Sequence, residues 1–457
     1  MSIYYISAAG SNSNDGLSES TPWLTIGKVN VNMGVHTFKF REGDTFSDTS
    51  LVITAACTIT RYGINGLSNP IIDGGTTFVG IYIDACTGAT IERLRFVNDI
   101  SAGLYNVNVR TGVVSSLTVQ DCHFSAGEYG FRSDAGTSGT GNIIRRCTFG
   151  PVDGAISDDG VSNNGDWHCE VYECYFAGIG IGGAGGDGDP LSAHDTCTIN
   201  AHHNIFIGNR NGGYRHVNTS GTNIFRNNFV YWNDEGGTTI CRQEGGGQTD
   251  AYNNVVILDG TALVLVFTND ASTAGASISH FWNNTVLCRN ANTGTFLFSN
   301  TRTAGVVSPT MHVKNCIAYM NNATSRLIKS DPALTVYVGD NNSFSHTTAG
   351  RFVLAVGVDF AAWKAGWVGQ DVASVTGDPS FVSPAGTTAD AARFVDGSNC
   401  QDAGQDLSGS FALDYAGRNR PYGAAWDIGA YEFGAGLPGF GGGFADWWAL
   451  QGASVEV

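Results

Sequence analysis

One short pattern recurs along the chain at a nearly even spacing, and this repeat constrains the fold more than any other feature. Each copy contains a small polar residue, Asn or Cys, and an apolar residue usually follows two places later. The polar markers are Cys122, Cys147, Cys174, Asn204, Asn228, Asn254, Asn284, Cys316 and Asn342. Successive markers lie 24 to 32 residues apart. Alternation of polar and apolar residues is typical of a β-strand, and a repeat of roughly 20–50 residues is typical of a solenoid.

The length of the repeat indicates which solenoid the chain forms. Three short strands and three turns need roughly 22–30 residues, so each repeat fits one coil of a parallel β-helix. β-Branched and aromatic residues at alternate positions argue against tandem helical repeats. Glycine contributes 62 of the 457 residues and proline only 10, which favours many tight turns in an ordered fold. We therefore predict an all-β protein, a parallel β-helix of roughly ten or more coils, in which the marker bends a turn and stacks on its copy one coil away.

Changes in composition predict four segments. Residues 1–50 are expected to form an N-terminal cap that includes a short amphipathic helix in WLTIGKVNVNM, because a solenoid must shield its first coil from water. Residues 51–377 are assigned to the β-helix and 378–433 to an irregular closing segment. Residues 434–457 form a Gly-rich linker and an aromatic tail.

The two C-terminal segments carry distinct expectations. The closing segment contains charged residues that we expect to hold its turns by charge-assisted hydrogen bonds. They are Asp414, Arg418, Asp427 and Glu432. The tail contains aromatic residues outside any strand pattern, and such groups commonly anchor to a partner. The candidate partner-binding residues are Phe444, Trp447 and Trp448; packing back on the solenoid is the alternative.

Charge and cysteine usage restrict partners and location. The chain has 24 Lys and Arg against 41 Asp and Glu, a net charge of −17, which argues against binding nucleic acid or anionic lipid. No apolar run approaches the roughly 20 residues that span a bilayer, so we predict no membrane insertion. The N-terminus lacks a basic region followed by an apolar core, so no signal peptide is predicted. Eleven cysteines without a CxxC pair indicate reduced thiols and synthesis in the cytoplasm; a trimmed signal is the alternative.

Three stretches resemble a known superfamily. They are YYISAAGSNSNDGLSESTPWLTIGKVN, TITRYGINGLSNPIIDGG and the recurrent NN-x-V phrase. Together they are similar to the pectate-lyase-like superfamily of right-handed parallel β-helix proteins, over nearly the whole chain. The resemblance implies the right-handed fold. It implies no single activity, because the superfamily includes polysaccharide lyases, glycoside hydrolases, epimerases, phage tailspikes and non-enzymatic virion proteins.

The strands that follow the markers contain charged residues that are expected to face outward. If Phe131, Ile156 and Tyr214 face the core, the period of two places their neighbours on the outer surface. In this register Asp134 and Asp159, 25 residues apart, are expected to be neighbours in adjacent coils. The candidate catalytic residues are Asp134, Asp158, Asp159, Arg215, His216, Arg242 and Glu244.

A band of carboxylates and guanidinium groups suits a glycan. Carboxylates serve as general acid and base, and arginines bind sugar carboxylates in bidentate fashion. Crowded carboxylates raise one pKa into the general-acid range or else recruit a cation such as Ca²⁺. The SDDG around Asp158 and Asp159 resembles the paired aspartates of β-helix polygalacturonases, and NGGYRHV resembles an arginine-bearing strand of β-helix alginate lyases, but the companion motifs are absent. Turn-forming aspartates and solvated arginines are the structural alternative.

A second set of residues is predicted to contact the substrate. The candidates are Arg132, Asp187, Asp189, His194 and Trp232, beside a gap left by Gly182 and Gly183. The His and Asp residues of GGDGDPLSAHD could instead tie a long turn to the sheet or bind a metal ion. Aromatic residues expected to be exposed could stack on sugar rings. They are Trp167, Tyr231, Trp232, Trp363 and Trp367.

Two functions of different classes are consistent with these patterns. The first is a virion-associated protein, a phage spike, fibre or head-decoration element, that presents a glycan-binding surface and possesses depolymerase activity if the acids are catalytic. It rests on the missing signal, the cysteine usage and the aromatic tail, and it implies a surface polysaccharide, other virion proteins and a homo-oligomer as partners. The alternative is a secreted polysaccharide lyase or glycoside hydrolase that acts on acidic polysaccharide. Both predict a location in a virion or outside the cell.

Overall fold

Three long parallel sheets contain nearly all the regular structure in the part of the chain that the structure describes. A computed structural model describes residues 1–434 except 64–67, 99–104, 151–155, 181–187, 219, 234–237, 263, 272–275, 290–294, 303–306, 322–325, 331–334 and 347–358. The chain visits the sheets in a fixed order, so we name them A, B and C in that order. Every strand pairs in parallel with the equivalent strand of the next coil.

The strands have the following bounds. Sheet A contains β1 (Ile3–Ile6), β2 (Thr37–Arg41), β5 (Thr58–Tyr62), β8 (Thr90–Glu92), β11 (Thr118–Gln120), β14 (Ser138–Arg145), β17 (Asp166–Tyr172), β20 (Ile199–His202), β23 (Thr222–Arg226), β26 (Gly247–Tyr252), β29 (Ser277–Trp282), β32 (Thr310–Lys314) and β35 (Val336–Asp340). Sheet B contains β3 (Thr45–Phe46), β6 (Ile71–Gly75), β9 (Arg95–Asn98), β12 (His123–Ala126), β15 (Thr148–Phe149), β18 (Tyr175–Ala177), β21 (Ile205–Ile207), β24 (Phe229–Trp232), β27 (Val255–Leu258), β30 (Thr285–Cys288), β33 (Ile317–Met320), β36 (Ser343–His346) and β37 (Val375–Thr376). Sheet C contains β4 (Leu51–Ile53), β7 (Ile81–Asp84), β10 (Tyr105–Thr111), β13 (Tyr129–Ser133), β16 (Val161–Asn163), β19 (Leu191–Asp195), β22 (Tyr214–Asn218), β25 (Thr238–Gln243), β28 (Val264–Ala271), β31 (Phe296–Arg302) and β34 (Arg326–Ser330).

This arrangement is the predicted right-handed parallel β-helix. One coil consists of β11, β12 and β13, and the next consists of β14, β15 and β16. Among the described residues, sheets A and B each contain 13 strands and sheet C contains 11, in agreement with roughly ten or more coils. No helix within the described ranges is long and apolar enough to cross a lipid bilayer.

The apolar residues of the repeat form a continuous core inside the coils. On sheet B the rings of Phe96, Phe124, Phe149, Phe176 and Phe206 stack from coil to coil, with centroids of successive rings 4.6 to 5.0 Å apart. All five side chains are fully buried. The spacing follows the distance of about 4.8 Å between hydrogen-bonded strands, so the same residue type at the same position in each coil stacks ring on ring in the core.

The marker residues line up between sheets A and B, as predicted. Asn254 shows the pattern: its side-chain amide donates to the carbonyl of Phe225 (2.7 Å) and to Oδ1 of Asn284 (2.9 Å), and its Oδ1 accepts from the backbone amide of Asn228 (3.0 Å). The thiols of Cys122, Cys147 and Cys174 occupy the same position in earlier coils and are buried. Each marker therefore satisfies backbone groups of the neighbouring coils that would otherwise be buried without partners.

The sharp bend belongs to the residue before each marker, not to the marker itself. These preceding residues have left-handed backbone angles, with φ between 49° and 56°. They are Asp121, Arg146, Glu173, His203, Asn227, Asn253, Asn283, Asn315 and Asn341. Asn and Asp tolerate this conformation better than most residues, which explains why the later coils carry Asn-Asn pairs.

All eleven cysteines are free and buried, as the absence of a CxxC pair indicated. Burial raises the pKa of the Cys122 and Cys147 thiols well above the usual value. These residues therefore pack as small apolar groups with weak S–H donors.

Short helices cover both ends of the solenoid. Helix α1 (Ile26–Val31) buries Ile26 and Val29 and begins after Thr25, whose hydroxyl accepts from the amide of Lys28. The assignment of residues 1–50 as an N-terminal cap stays a prediction, since β1, β2 and β3 of that range pair within sheets A and B. Helix α2 (Phe360–Gly366) lies within the range assigned to the β-helix and was missed, because a single turn of apolar residues has no distinctive period.

The stacked marker residues, which we call the marker ladder, end beside α2 at the buried carboxylate of Asp371. Asp371 is fully buried and accepts hydrogen bonds from the Tyr337 hydroxyl (2.9 Å), the Trp363 indole (2.8 Å) and the side-chain amide of Asn342 (3.1 Å). It therefore joins Asn342, the last marker, to helix α2.

The closing segment covers the outer face of sheet B. Its apolar residues pack on those of the strands from β24 to β33, and a short 3₁₀-helix lies at Ala389–Ala392. Asp414 accepts from the amides of Arg418 (2.8 Å) and Glu432 (3.0 Å), and Glu432 accepts from the amide of Asp427 (3.0 Å). The predicted charge-assisted hydrogen bonds are therefore confirmed. An additional ion pair, Arg420–Glu432 at 2.6 Å, has both side chains fully buried.

Candidate active site on the outer face of sheet C

The register of sheet C differs from the predicted one. Phe131 pairs with Val161 rather than with Ile156, and Val161 pairs with Leu191, so β16 begins after Asp159 instead of containing it. Ile156 is buried, as expected, but it lies in the longer turn between β15 and β16. Ile156 is buried and has polar neighbours, so its sequence resembles the alternation of a β-strand although it lies in a turn. The position of β16 depends on the length of that turn.

The predicted contact between Asp134 and Asp159 is therefore wrong. Asp134 follows the end of β13, whereas Asp159 precedes the start of β16, so the two carboxylates lie at opposite ends of neighbouring strands. Asp134 is instead paired with Arg132 (3.3 Å) and accepts from the side-chain amide of Asn108 (3.1 Å).

Three aspartates gather where the chain enters β16 and β19. Asp158 and Asp159 precede β16, and Asp189 precedes β19 in the next coil. The amide of Asp189 donates to Oδ1 of Asp159 at 3.0 Å, and all three residues are buried. Parallel pairing stacks equivalent positions about 4.8 Å apart, so these carboxylates belong to one cluster although 30 residues separate the last two.

Hydroxyl groups hold Asp159 on the outer face. Ser192 donates to Oδ2 of Asp159 at 2.6 Å, and its oxygen lies 3.0 Å from the hydroxyl of Ser162. Burial, followed by repulsion from Asp158, raises the pKa of Asp159 from 3.8 to about 7; the bonds from Ser192 and the Asp189 amide act in the opposite direction. This carboxyl group therefore titrates near neutral pH.

Asp189 has a different environment. Burial and the neighbouring charge of Asp159 raise its pKa well above 3.8, and Arg215 lies 3.5 Å from its Oδ2. Two like charges in a buried site cannot both be ionised without a large cost. Asp159 accepts from Ser192 and from the Asp189 amide, and Asp189 accepts from the Asn211 side chain, so a proton shared by the pair removes the repulsion while both carboxyl groups keep their protein donors.

A chain of ion pairs extends from Asp189 along the outer face. Arg215 pairs with Glu244 (2.6 Å), Glu244 pairs with Arg242 (2.9 Å), and Arg242 pairs with Asp270 (3.1 Å). Arg215 and Arg242 occupy the same register position in β22 and β25. The predicted outward positions of Arg215, Arg242 and Glu244 are therefore confirmed, and each of these charges has a partner.

Tyr129 connects the aspartates to Arg132. Its hydroxyl donates to Oδ2 of Asp158 at 2.6 Å, and the Arg132 guanidinium lies over its ring, 4.6 Å from the centroid. Arg132 also lies 5.0 Å from the ring centroid of Tyr105 in the preceding coil. Arg132 is therefore held between two tyrosines on the outer face, near the carboxylate cluster.

His216 does not belong to this face. It follows the outward-facing Arg215 in β22, so alternation turns it inward, and it is fully buried. Its Nδ1 lies 2.8 Å from the Thr249 hydroxyl and its Nε2 lies 2.8 Å from the side-chain amide of Asn223. Burial lowers its pKa to about 3, so the imidazole is neutral at ordinary pH. Its role is to satisfy polar groups inside the coil.

The tryptophans expected at the surface are mostly in the core. Trp232, proposed to contact substrate, is fully buried, as are Trp167 and Trp363; Tyr231 is buried as well and Trp367 is half-buried. Trp167 donates its indole N–H to the carbonyl of Val114 inside the helix. None of the four buried rings offers a face to a sugar.

Of the remaining residues predicted to contact substrate or partner, His194 lies near the three aspartates, and the others lie outside the described residues. His194 lies on the outer face in β19, and its pKa is lowered by burial although Asp195, Glu244 and Asp158 oppose this. Other residues lie outside the described ranges: Asp187, Gly182, Gly183, Phe444, Trp447 and Trp448.

Within those ranges no group of three or more His, Cys, Asp or Glu side chains has a geometry able to hold a metal ion. The aspartates of the cluster are instead bonded to protein donors. Ca²⁺ binding, which the acidic sequence suggested, has no support from the described residues.

Several site residues were missed by the sequence analysis. Tyr129, Ser162, Ser192 and Asp270 lie beside the acids, yet serine and tyrosine on an alternating strand resemble ordinary surface residues. A signal was present for Ser192, because a polar residue two places after Asp-Pro in DPLSAHD fits the outward position of a strand that starts at Leu191. Recognising it required the correct register.

The sequence matches no protein-family model, and no curated protein is significantly similar to it. Solved structures do match the fold. GH136 lacto-N-biosidase from Eubacterium ramulus has 13% identity and a TM-score of 0.54, covering 75% of this chain and 67% of that one.

Two further structures match over more of the chain. Pectate lyase Pel9A has 15% identity and a TM-score of 0.52, covering 94% of this chain and 96% of that one. The structure of XylC with xylose has 9% identity and a TM-score of 0.52, covering 94% and 98%. At these identities the similarity shows the fold, and the predicted resemblance to pectate-lyase-like β-helix proteins is confirmed at that level.

Proposed function

We propose that the chain is a glycoside hydrolase whose catalytic acids are Asp159 and Asp189 on the outer face of sheet C. The observation that carries this proposal is the buried pair of carboxyl groups, joined by the Asp189 amide, with both pKa values raised. Glycosidases use one protonated and one ionised carboxyl group around the scissile bond. Two acids whose environments differ in this way provide both forms at neutral pH.

The two carboxyl groups take different roles in the proposed reaction. Asp189 holds the shared proton and donates it to the glycosidic oxygen. Asp159, which accepts from Ser192 and from the Asp189 amide, is ionised and acts as the base or nucleophile. Asp158, held by the Tyr129 hydroxyl, adds negative charge beside the positive charge that develops on the sugar in the transition state.

The arginines favour hydrolysis over elimination. A lyase acting on a uronate needs a cation to neutralise the sugar carboxylate. Arg215 and Arg242 already pair with Glu244 and Asp270, and Arg132 pairs with Asp134. The names of the similar structures are compatible with a carbohydrate substrate, since they include a lacto-N-biosidase, a pectate lyase and a complex with xylose.

The test is release of reducing ends from a panel of neutral and acidic polysaccharides by the full chain. We expect cleavage of at least one polymer, and its loss in Asp189→Asn with an unchanged melting temperature. Asp406→Asn, which removes an exposed carboxylate of the closing segment, is the matched control and should remain active. Full activity of Asp189→Asn, or no cleavage of any polymer in a broad panel, would contradict the proposal.

The virion-associated role stays a prediction. It depends on the tail at 434–457, most of which lies outside the described residues, and no contact within the described ranges favours it. Surface polysaccharide as a partner agrees with the hydrolase proposal, as does a location in a virion or outside the cell. Homo-oligomerisation and binding to other virion proteins are not part of the proposal.

A further inference from the structure

A row of aromatic side chains lines the outer face of sheet A, on a different sheet from the proposed active site. It consists of Tyr172, His202, Arg226, Tyr252 and Trp282, each in register with the next across adjacent coils. The residue before each of them is buried in the core, so alternation turns all five outward, and all five are half-buried. Four rings in five successive coils therefore lie at a surface where polar side chains are the rule. We call these five residues the sheet A row.

Two stacked pairs of rings stand on either side of Arg226. His202 stacks on Tyr172 of the preceding coil, with ring centroids 4.9 Å apart. Tyr252 stacks on Phe411 of the closing segment at 4.5 Å, and Phe411 also lies 6.4 Å from the tryptophan ring of the following coil. The remaining faces of His202 and Tyr252 therefore point toward Arg226.

The gap between these two faces is wide enough for one sugar ring. Register places His202 and Tyr252 two coil steps apart, which is about 10 Å. A ring held between two aromatic faces needs about 7–8 Å, the sum of two van der Waals contacts of roughly 3.5–4.0 Å. Arg226 belongs to the strand between them, so its side chain forms the floor of the gap. The C–H faces of a sugar can pack against the large apolar faces of the two rings.

Arg226 provides a positive charge for a ligand in this gap. Within the described residues it forms no ion pair and no side-chain hydrogen bond, whereas Arg215 and Arg242 on sheet C are both paired with carboxylates. Burial, together with the charge of Arg226, lowers the pKa of His202 to about 3, so the imidazole beside it is neutral at ordinary pH. A planar guanidinium binds a carboxylate through two parallel hydrogen bonds.

The face as a whole is not basic, so the site depends on this one arginine rather than on net charge. From β14 to β35 the outward charged side chains of the strands are Arg145, Arg226 and Lys314 against Asp166, Glu170, Asp250 and Asp340. Glu170 and Asp250 lie beside the row and are bonded to histidines at 2.8 and 2.7 Å. The side chain of Glu170 is 38% exposed, so the face is open to solvent here. These carboxylates would repel a polyanion, so a glycan with isolated acidic residues fits the site better.

We propose that the sheet A row is a second glycan-binding site, which takes one acidic sugar residue of an otherwise neutral glycan. Arg226 binds the carboxylate, and His202 and Tyr252 pack against the two faces of the sugar ring. The site lies on a different sheet from Asp159 and Asp189, so it retains a polysaccharide on the protein and takes no part in cleavage. It goes beyond the proposed hydrolase function and does not depend on it.

The test measures binding of matched acidic and neutral oligosaccharides by calorimetry at pH 7. The full chain carries Asp189→Asn, so that no probe is cleaved. The probes are xylotetraose with and without one glucuronate branch, sialyllactose and lactose, and trigalacturonate. We expect at least one singly acidic probe to bind more tightly than its neutral partner and than trigalacturonate. Arg226→Gln should weaken binding of that probe roughly ten- to hundredfold, because the charge-assisted hydrogen bonds are lost.

Two further variants separate recognition from general effects. Arg226→Lys retains the charge without the planar fork and should give an intermediate affinity. Arg41→Gln is the matched control, since it removes an exposed arginine of β2 near the N-terminal end of the same sheet, and it should leave binding unchanged. Arg226→Gln should keep the parent melting temperature, because Arg226 has no hydrogen bond or ion pair to lose among the described residues.

Four results would overturn the site. They are no binding of either singly acidic probe, unchanged affinity in Arg226→Gln, equal binding of the acidic and neutral partners, and competition by acetate at the concentration of the probe. The last result would mean that Arg226 binds carboxylates without recognising a sugar. Cleavage of a polysaccharide by the wild-type chain is measured separately, so rejection of this site would leave the hydrolase proposal standing, and rejection of the hydrolase would leave this site.

Discussion

The backbone amide of Asp189 donates a hydrogen bond to the carboxylate of Asp159 across adjacent coils, at 3.0 Å. This bond links the two acids where the chain enters β16 and β19, and both residues are buried. The solenoid thus places residues that are 30 positions apart in sequence at the distance at which like charges affect each other's protonation.

Replacing Asp189 tests the role of the general acid. We expect Asp189→Asn to lower kcat by roughly 10²–10⁴-fold, because the amide cannot protonate a leaving group. The wild-type protein should show a bell-shaped pH–rate profile. Its two apparent pKa values should belong to the coupled Asp159–Asp189 pair. The measurement is a pH–rate profile of both proteins. A variant that retains the wild-type rate would show that Asp189 does not donate the proton.

Replacing Asp159 tests the cost of burying its charge. The pKa of the folded-state carboxyl group is raised from 3.8 to about 7, so between these pH values the folded chain retains a proton that the unfolded chain has lost. The free energy of unfolding should therefore fall as pH rises through this window. In Asp159→Asn this decrease should be smaller, which urea unfolding from pH 4 to pH 8 would reveal. An equal slope in both proteins would mean that Asp159 titrates normally.

Ser192 is expected to position and tune Asp159 rather than to react. Its hydroxyl bond lowers the pKa of Asp159, so Ser192→Ala should raise that pKa further. The acidic limb of the pH–rate profile should then move to higher pH, with a smaller shift in the same direction for Ser162→Ala. Ser279→Ala, inside the coil, should leave the profile in place. Loss of rate at all pH values without a shift would indicate a different role.

The marker ladder should contribute to stability in proportion to its hydrogen bonds. Asn254→Ala removes bonds to Phe225, Asn284 and Asn228 and leaves buried groups without partners. We expect a loss on the order of 1–3 kcal/mol in the free energy of unfolding. Asn254→Cys, which introduces the residue used in earlier coils, should lose less. The measurement is chemical unfolding, and equal stability of the Ala variant would contradict a structural ladder.

The Arg420–Glu432 pair should hold the closing segment on sheet B. Arg420→Met leaves Glu432 buried without its cation, and breaking one side of a buried pair costs roughly 3–5 kcal/mol. The segment should then separate from the outer face and expose Val255, Ile257 and Leu287. Increased binding of a hydrophobic dye and faster proteolysis within residues 378–433 would show this. A double Arg420→Met/Glu432→Leu variant should recover part of the stability, because no unpaired charge remains.

The architecture could be predicted because each coil repeats the same physical requirement. Phe124, Phe149 and Phe176 recur at the coil pitch, since an interior of stacked strands needs the same apolar group at the same height. Cys147 and Asn254 recur for a related reason, because each coil leaves equivalent backbone groups that need a buried donor or acceptor. Requirements that repeat in every coil can be recognised in the sequence without knowledge of long-range contacts.

The sequence by itself thus determined the parallel β-helix, the free buried cysteines and the face that carries Arg215, Arg242 and Glu244. Only the tertiary structure decided which acids meet. Asp159 lies beside Asp189 and Ser192 rather than beside Asp134, because the longer turns before β16 and β19 shift the register of sheet C. The length of a turn changes which residues stack on each other, but it does not change the alternation within the strands. The pattern of apolar residues therefore does not indicate the length of the turn.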